Sequence, residues 1–222
     1  MIFGQAGMQG QSSVGAASGV ARLDQLSERV LQLARPLRFE VARSAGQVEA
    51  AMRLRFRTAV AKGWITPGAS SSGRERDEYD DVALQIVVLD DDTVVGTSRL
   101  VLPADGRRLP TEAAFEWKAD GQTVDVSRIC LEQQYRDGSH LAFLGLLSAG
   151  WQETRKHGFS QCCGKFSLKI MQLYQGLGFR VDRVGPPRPY WGEERWPILI
   201  RPQEADARLD EIIRSLENRI AK

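Results

Sequence analysis

The sequence predicts an α/β fold in which a mixed central sheet carries helices on both faces, and three observations lead there. β-Branched runs alternate with segments of helical period from residue 37 to residue 202. Two of those runs, 83–89 and 94–102, are joined only by the turn Asp90, Asp91, Asp92 and read as a hairpin. The later strands are separated by helices long enough for crossovers, so antiparallel and parallel neighbours share one sheet. A purely parallel dinucleotide-binding arrangement is excluded by this order, and no GxGxxG, Walker loop or GxSxG is present.

Residues 1–19 are rich in Gly, Ser and Gln and are expected to lack stable structure, because they cannot bury enough apolar surface to offset the entropy of ordering. In residues 20–36, Leu23, Leu26, Val30 and Leu33 recur at helical spacing before Pro36, giving an amphipathic helix that covers the core or meets a second subunit. Residues 37–42 form a first strand. Ser44 and Gln47 make a capping box ahead of Val48, Met52, Phe56 and Val60 on one helical face. A Gly- and Ser-rich loop over 63–73 holds Trp64 and leads to the hairpin. Then come a strand over 124–129, a helix around Leu144, Leu147 and Trp151 that stops at His157 and Gly158, a strand over 159–163, a helix over 168–177 closed by Gly178, and a strand over 198–200. Residues 203–222 form a charged C-terminal helix with Leu209, Ile212, Leu216 and Ile220 on one face. The acting unit is therefore a single domain over 37–202 with a helix appended at each end.

Composition narrows the function. Thirty Lys and Arg against 28 Asp and Glu give a net charge of +2, without the global field of a nucleic-acid or membrane-surface protein. The start of the chain reads as neither signal peptide nor membrane span. Three cysteines, two of them adjacent at 162 and 163, form neither a disulfide framework nor a zinc spacing, so a reducing cytoplasm and no metal are expected.

Three polar stretches interrupt this apolar framework. Asp77, Glu78, Tyr79, Asp80 and Asp81 crowd four carboxylates into a loop, which is either a solvated cap or a cluster awaiting a cation or an incoming ammonium. Arg55 and Trp64 upstream suit the second reading, offering a cation and an aromatic wall. Arg99 lies within a strand built for burial and either reaches Asp77 or Asp80 or points to water from an edge. Along Asp125, Val126, Ser127 and Arg128, period two sets residues 125, 127 and 129 on one face and 126 and 128 on the other. Asp125 then suits a general base and Ser127 a hydrogen bond to a thioester carbonyl, the alternatives being a strand cap and an Arg128 salt bridge to a helix. His140 and His157 are explained as a helix start and a helix end, and Cys130 as a buried thiol.

Taken together these residues resemble the acetyltransferase (GNAT) superfamily, and within it the branch that uses acyl carrier protein: the long-chain N-acyl amino acid synthases and the autoinducer (N-acyl-homoserine lactone) synthases. Arg55, Trp64, the DEYD of Asp77 to Asp80, Arg99 in GTSRL and the DVSR of Asp125 to Arg128 follow the order of those families' site motifs. Ala59 stands where the autoinducer synthases usually have Phe, and Asp125 where they have Glu. Leu109 to Glu112, Gln134 to Arg136, and Gly185, Pro186, Tyr190 and Gly192 look more like the N-acyl amino acid synthases. The pyrophosphate loop of acetyl-CoA enzymes is poorly kept over 134–140, as suits a donor without a nucleotide.

The resemblance implies an acyltransferase that moves a fatty acyl group from the 4′-phosphopantetheine thioester of acyl carrier protein to the amine of an amino acid or similar metabolite, with no tightly bound cofactor. Catalysis would fall to Asp125, Ser127 and Asp80, and substrate binding to Arg55, Trp64, Asp77, Tyr79, Arg99 and Arg128. An autoinducer synthase using S-adenosylmethionine and a silent acyl-carrier-binding module are the alternatives. Between residues 155 and 201 nine Lys and Arg face three acidic residues. Lys165, Lys169, Arg180 and Arg183 are the expected docking site for an acidic carrier protein.

Overall fold

The structure, a computed structural model, describes residues 8–221. They form one mixed sheet whose strands run β1 (Arg38–Val41), β2 (Leu84–Asp90), β3 (Thr93–Val101), β4 (Thr123–Leu131), β5 (Gln161–Phe166), β6 (Asp182–Arg183), β7 (Arg188–Tyr190) and β8 (Glu193–Ile200) along the chain. Across the sheet the order is β1-β2-β3-β4-β5-β8-β6, with β7 paired to β8. Every pairing is antiparallel except β4 with β5. The sheet is mixed, as the spacing of strands and helices predicts.

Helices α2 (Ala45–Ala61) and α3 (Pro110–Phe115) cover one face. On the other lie α1 (Met8–Leu33), α4 (Leu141–Lys156), α5 (Leu168–Gly176) and α6 (Ala207–Ile220), packed around the largest apolar core. The capping box of α2 is present, with the Gln47 N–H donating to Ser44 Oγ at 3.2 Å. Gly178 closes α5 at φ +91°, a conformation free of steric cost only for Gly.

The N-terminal helix begins at Met8, earlier than the expected start at residue 20, and residues 1–7 lie outside the described residues. Its apolar side, Leu23, Leu26 and Val30, is buried against the domain, so of its two expected roles it takes that of covering the core. α6 packs beside it through Arg22 with Asp210 and Arg29 with Glu217, the latter at 2.7 Å. The two terminal helices thus clasp each other over one face of the sheet. β6, β7, α3 and the first half of β8 have no counterpart among the expected elements. β5 begins at Gln161 and runs to Phe166, where a strand over 159–163 is expected.

Two irregularities shape the middle of the sheet. Thr97 pairs with Cys130 but Arg99 pairs with Ser127, so β4 holds one extra residue there. Arg128 absorbs it at φ +57°, a left-handed conformation costing a non-glycine residue about 1–2 kcal/mol. β4 and β5, in turn, pair only over Thr123, Val124 and Asp125 against Gln161, Cys162 and Cys163. Beyond those three pairs β5 continues to Phe166 and β4 to Leu131 without a shared ladder, so the sheet opens between them.

Candidate active site

On the α2 face a buried ion network fills the space over β3 and β4. Arg55, 2% exposed, donates from Nη1 and Nη2 to the two oxygens of Asp80 at 2.6 and 2.8 Å and from Nε to Glu75 at 2.6 Å. Arg99 is wholly buried and donates from Nη1 to Asp77, with Asp80 at 3.2 Å. Its Nε donates to Ser127 Oγ at 3.3 Å. The third guanidinium, Arg128, donates from Nη2 to Glu75 and Asp77 at 2.9 and 2.8 Å and stacks 4.3 Å above the ring of Trp191. Three guanidinium groups against three carboxylates leave the cluster neutral, which is how it tolerates burial.

Period two misplaces Arg128. The extra residue in β4 turns its side chain onto the face of Asp125 and Ser127, where the regular alternation sets it opposite. Nothing in the sequence marks that bulge. Asp80 is also corrected as an acid or base. Arg55, Gln85, Arg99 and the Asp77 N–H use both its oxygens, and although burial alone would raise its pKa, the Arg55 guanidinium beside it holds the carboxyl well below the usual carboxylate range. Asp80 positions two arginines. Glu75, the hub between Arg55 and Arg128, escapes sequence reading because it lies in a run of alternating charges, Arg74 to Asp77, that suits any surface loop.

Asp125 is wholly buried and its Oδ2 accepts from the Thr111 N–H at 2.8 Å and from the Thr111 hydroxyl. Its Oδ1 has no partner among the described residues, nor has Arg99 Nη2. Tyr79 stands between these groups, its ring 5.9 Å from Arg99; burial first, then Glu78, Asp125 and Asp77 push its hydroxyl pKa up. The two-residue β7–β8 turn sets Trp191 and Gly192 at φ +53° and +71°, as a tight hairpin requires. Trp191 thereby lies over Arg128, while Trp64 donates from Nε1 to Glu193 at 2.9 Å and carries Arg195 4.7 Å above its ring. Trp64 is brought to the site, but through a hairpin that sequence reading leaves out.

The opposite face holds an apolar cavity lined among others by Leu26, Val30, Val126, Leu144, Cys162, Phe166 and Ile213. Val126 and Cys162 belong to β4 and β5, so the cavity lies under the two strands that part. Cys130 is buried, which pushes its thiol up to about 11 and leaves it un-ionised at neutral pH.

The expected docking set divides. Lys165 is 8% exposed and lies 3.9 Å from Asp125, so it cannot meet a carrier protein. Arg180 pairs with Asp182 and Glu204. Lys169 and Arg183 are exposed; Lys169 stands between the exposed apolar Leu168 and Ile170 at the start of α5, and Arg183 lies on β6, 5.0 Å from the Trp196 ring. Among the described residues no three His, Cys, Asp or Glu side chains converge as metal ligands, and no helix is long and apolar enough to cross a membrane.

Residues 54–145 match the family model for the acetyltransferase (GNAT) domain. The chain has the GNAT fold. Among solved structures it is similar to the CoA-dependent acyl-homoserine lactone synthase BjaI with MTA, at 22% identity and TM-score 0.61 over 80% of this chain and 83% of that one. The AHL synthase LasI aligns at 15% identity and TM-score 0.64 over 78% and 94% of the two chains. FeeM, an N-acyl amino acid synthase from uncultured soil microbes, aligns at 15% identity and TM-score 0.55 over 74% and 88%. No curated protein matches the sequence. α1 and α6 fall outside the matched residues, and they supply Leu26, Val30 and Ile213 to the cavity wall.

Proposed function

We propose that the protein is an N-acyltransferase that moves a long fatty acyl group from acyl carrier protein to the amine of an amino acid or similar small metabolite. The observation that carries this reading is the opening between β4 and β5, with a polar, ion-lined face on one side and an apolar cavity on the other. A thioester carbonyl held in the gap would leave its alkyl tail in the cavity, and the amine would approach from the polar face. Asp125 Oδ1, free of other partners, would take the ammonium's proton. The amine nitrogen would then attack the carbonyl carbon, the C–S bond would break, and the thiolate would leave as the free thiol with the second proton lost by the nitrogen. Ser127 accepts from Arg99, which leaves its own hydroxyl hydrogen free to donate to the carbonyl oxygen. No covalent enzyme intermediate is required.

The loop ahead of α4 supports a donor without a nucleotide. The Asp137 carboxylate accepts from the Ser139 N–H and hydroxyl at 3.2 and 2.6 Å, and Ser139 Oγ accepts from the Leu141 N–H at 3.2 Å. The first N–H of the helix, that of Leu141, is thus taken by a side chain, and the Asp137 carboxylate in this loop disfavours a pyrophosphate beside it. Lys169, Leu168 and Ile170, just past the end of β5, offer a mixed basic and apolar surface that an acidic carrier protein would meet, and Arg183 on β6 is a further exposed cation. Three free thiols suit a reducing cytoplasm.

The test is product analysis by mass spectrometry after incubation with long-chain acyl carrier protein or acyl-CoA, mixed amino acids and S-adenosylmethionine. N-acyl amino acids formed faster from the carrier protein, without methylthioadenosine, are the expected result. Release of methylthioadenosine with a homoserine lactone product would make the protein an autoinducer synthase, and absence of turnover with every donor would leave a binding module.

A further inference from the structure

β5 carries one charged side chain, and it is buried. Lys165 is 8% exposed, and its Nζ has no hydrogen-bond partner among the described residues. The nearest carboxylate oxygen, Asp125 Oδ2, is 3.9 Å away, too far for a hydrogen bond, and already accepts twice from Thr111. The face of the Tyr190 ring lies 5.5 Å off on the far side. An ammonium with three donors is costly to bury when none is used, so this environment is incomplete without a further acceptor.

Strand register shows where that acceptor belongs. Arg99 pairs with Ser127, and Asp125 with Cys163 two residues before Lys165. Continued past the point where β4 and β5 part, the register sets Lys165 opposite Ser127 across the gap, on the same face of the sheet. The row therefore reads Arg99, Ser127, gap, Lys165, with a hydroxyl on one bank and an unspent ammonium on the other.

We infer that Lys165 is a catalytic residue whose ammonium holds the oxyanion formed when the amine adds to the thioester. The inference rests on the acyl-transfer reading above. As the C–N bond forms, the carbonyl π pair moves to oxygen, and the resulting oxyanion accepts from Lys165 Nζ and Ser127 Oγ. Asp125 holds the amine's proton. When the pair returns, the C–S bond breaks and the thiolate leaves as the free carrier thiol with the second proton, lost by the adduct nitrogen, while Asp125 releases the first proton to solvent. Lys165 ends the cycle still charged and paired with Asp125.

The test compares the parent with Lys165→Met, Lys165→Gln and Lys165→Arg, measuring kcat and acceptor KM separately beside thermal unfolding. Lys165→Met is expected to lose about 100- to 1,000-fold in kcat, the usual loss for one oxyanion donor. Acceptor KM should stay within about threefold, and Lys165→Arg, which restores the charge, should recover at least about tenfold of the lost kcat. Should the Met variant not fold, the Gln variant carries the same expectation. An active parent with kcat unchanged in the folded variants, or with only acceptor KM raised, would overturn the role of Lys165 while leaving acyl transfer intact. A parent inactive with every donor would overturn both.

Discussion

Replacing Asp80 by Asn decides whether the ion network is a frame or a surface decoration. The Asp80 side chain is wholly buried and that of Arg55 is 1% exposed. Four hydrogen bonds converge on its two oxygens, from Arg55 Nη1, Arg55 Nη2, Gln85 Nε2 and the Asp77 N–H, at 2.6, 2.8, 2.8 and 2.9 Å, with Arg99 Nη1 nearby at 3.2 Å. An amide offers one oxygen and an NH2, and in either orientation the NH2 meets an Arg55 donor. Breaking one partner of a buried pair costs about 3–5 kcal/mol, because the other charge is left uncompensated. At about 2–4 °C per kcal/mol for a chain of this size, the unfolding midpoint should fall by about 6–20 °C. Calorimetry and urea unfolding at neutral pH measure it, with Asp81→Asn as the control. Asp81 is 64% exposed in its pair with Arg76, and its loss should cost less than about 1 kcal/mol. Because the folded pKa of Asp80 is depressed, its contribution is present above the unfolded value of about 3.9 and fades as pH falls toward the folded one. The gap between parent and variant should therefore narrow in acid. A loss below about 1 kcal/mol at neutral pH would refute the frame and return the acidic loop to solvent.

Gly145 of α4 lies where an added Cβ would overlap the Phe39 ring of β1, so Gly145→Ala should destabilise by about 1–3 kcal/mol through overpacking, read by urea unfolding. Trp191→Ala removes the face on which Arg128 stacks, an interaction of about 0.5–2 kcal/mol, and should raise acceptor KM more than it lowers stability. An unchanged KM would place the hairpin outside the acceptor site. Cys162→Phe projects a ring into the apolar cavity and should shift the product toward shorter acyl chains, as mass spectrometry of chain lengths would record.

What the sequence discloses and what it hides follow the range of the forces involved. The α2 capping box, the β2–β3 hairpin and the Gly178 stop are local, written in residues a few positions apart, and they occur as expected. The pairing of Arg99 with Asp77 and Asp80 is half legible: the sequence leaves a carboxylate partner and an edge facing water both open, and the full burial of Arg99 decides for the carboxylates. The bulge at Arg128 is not: its cause is the three-dimensional demand of Glu75, Asp77 and Trp191, and its backbone cost is offset only by contacts more than 50 residues away in sequence. Lys165 misleads for the same reason. Beside Lys169 and Arg183 it reads as one of a basic patch, but it lies in a strand whose Gly164 and Phe166 are buried with it, while Lys169 and Arg183 remain exposed.

The buried polar atoms that remain unpaired carry the last step. Arg55 and Asp80 have their bonds filled by Glu75, Gln85 and each other. Five buried side-chain atoms on the same face have no partner among the described residues: Thr97 Oγ1, Arg99 Nη2, Asp125 Oδ1, Lys165 Nζ and Arg195 Nε. Three of them, on Arg99, Asp125 and Lys165, belong to the strip of strands that borders the gap. Unsatisfied buried groups are rare in folded proteins because each costs free energy that packing must offset. A framework that leaves a carboxylate oxygen and two cationic donors open around one opening in the sheet is preorganised for a ligand bringing an ammonium proton and a developing negative oxygen. Aminolysis of a thioester brings both.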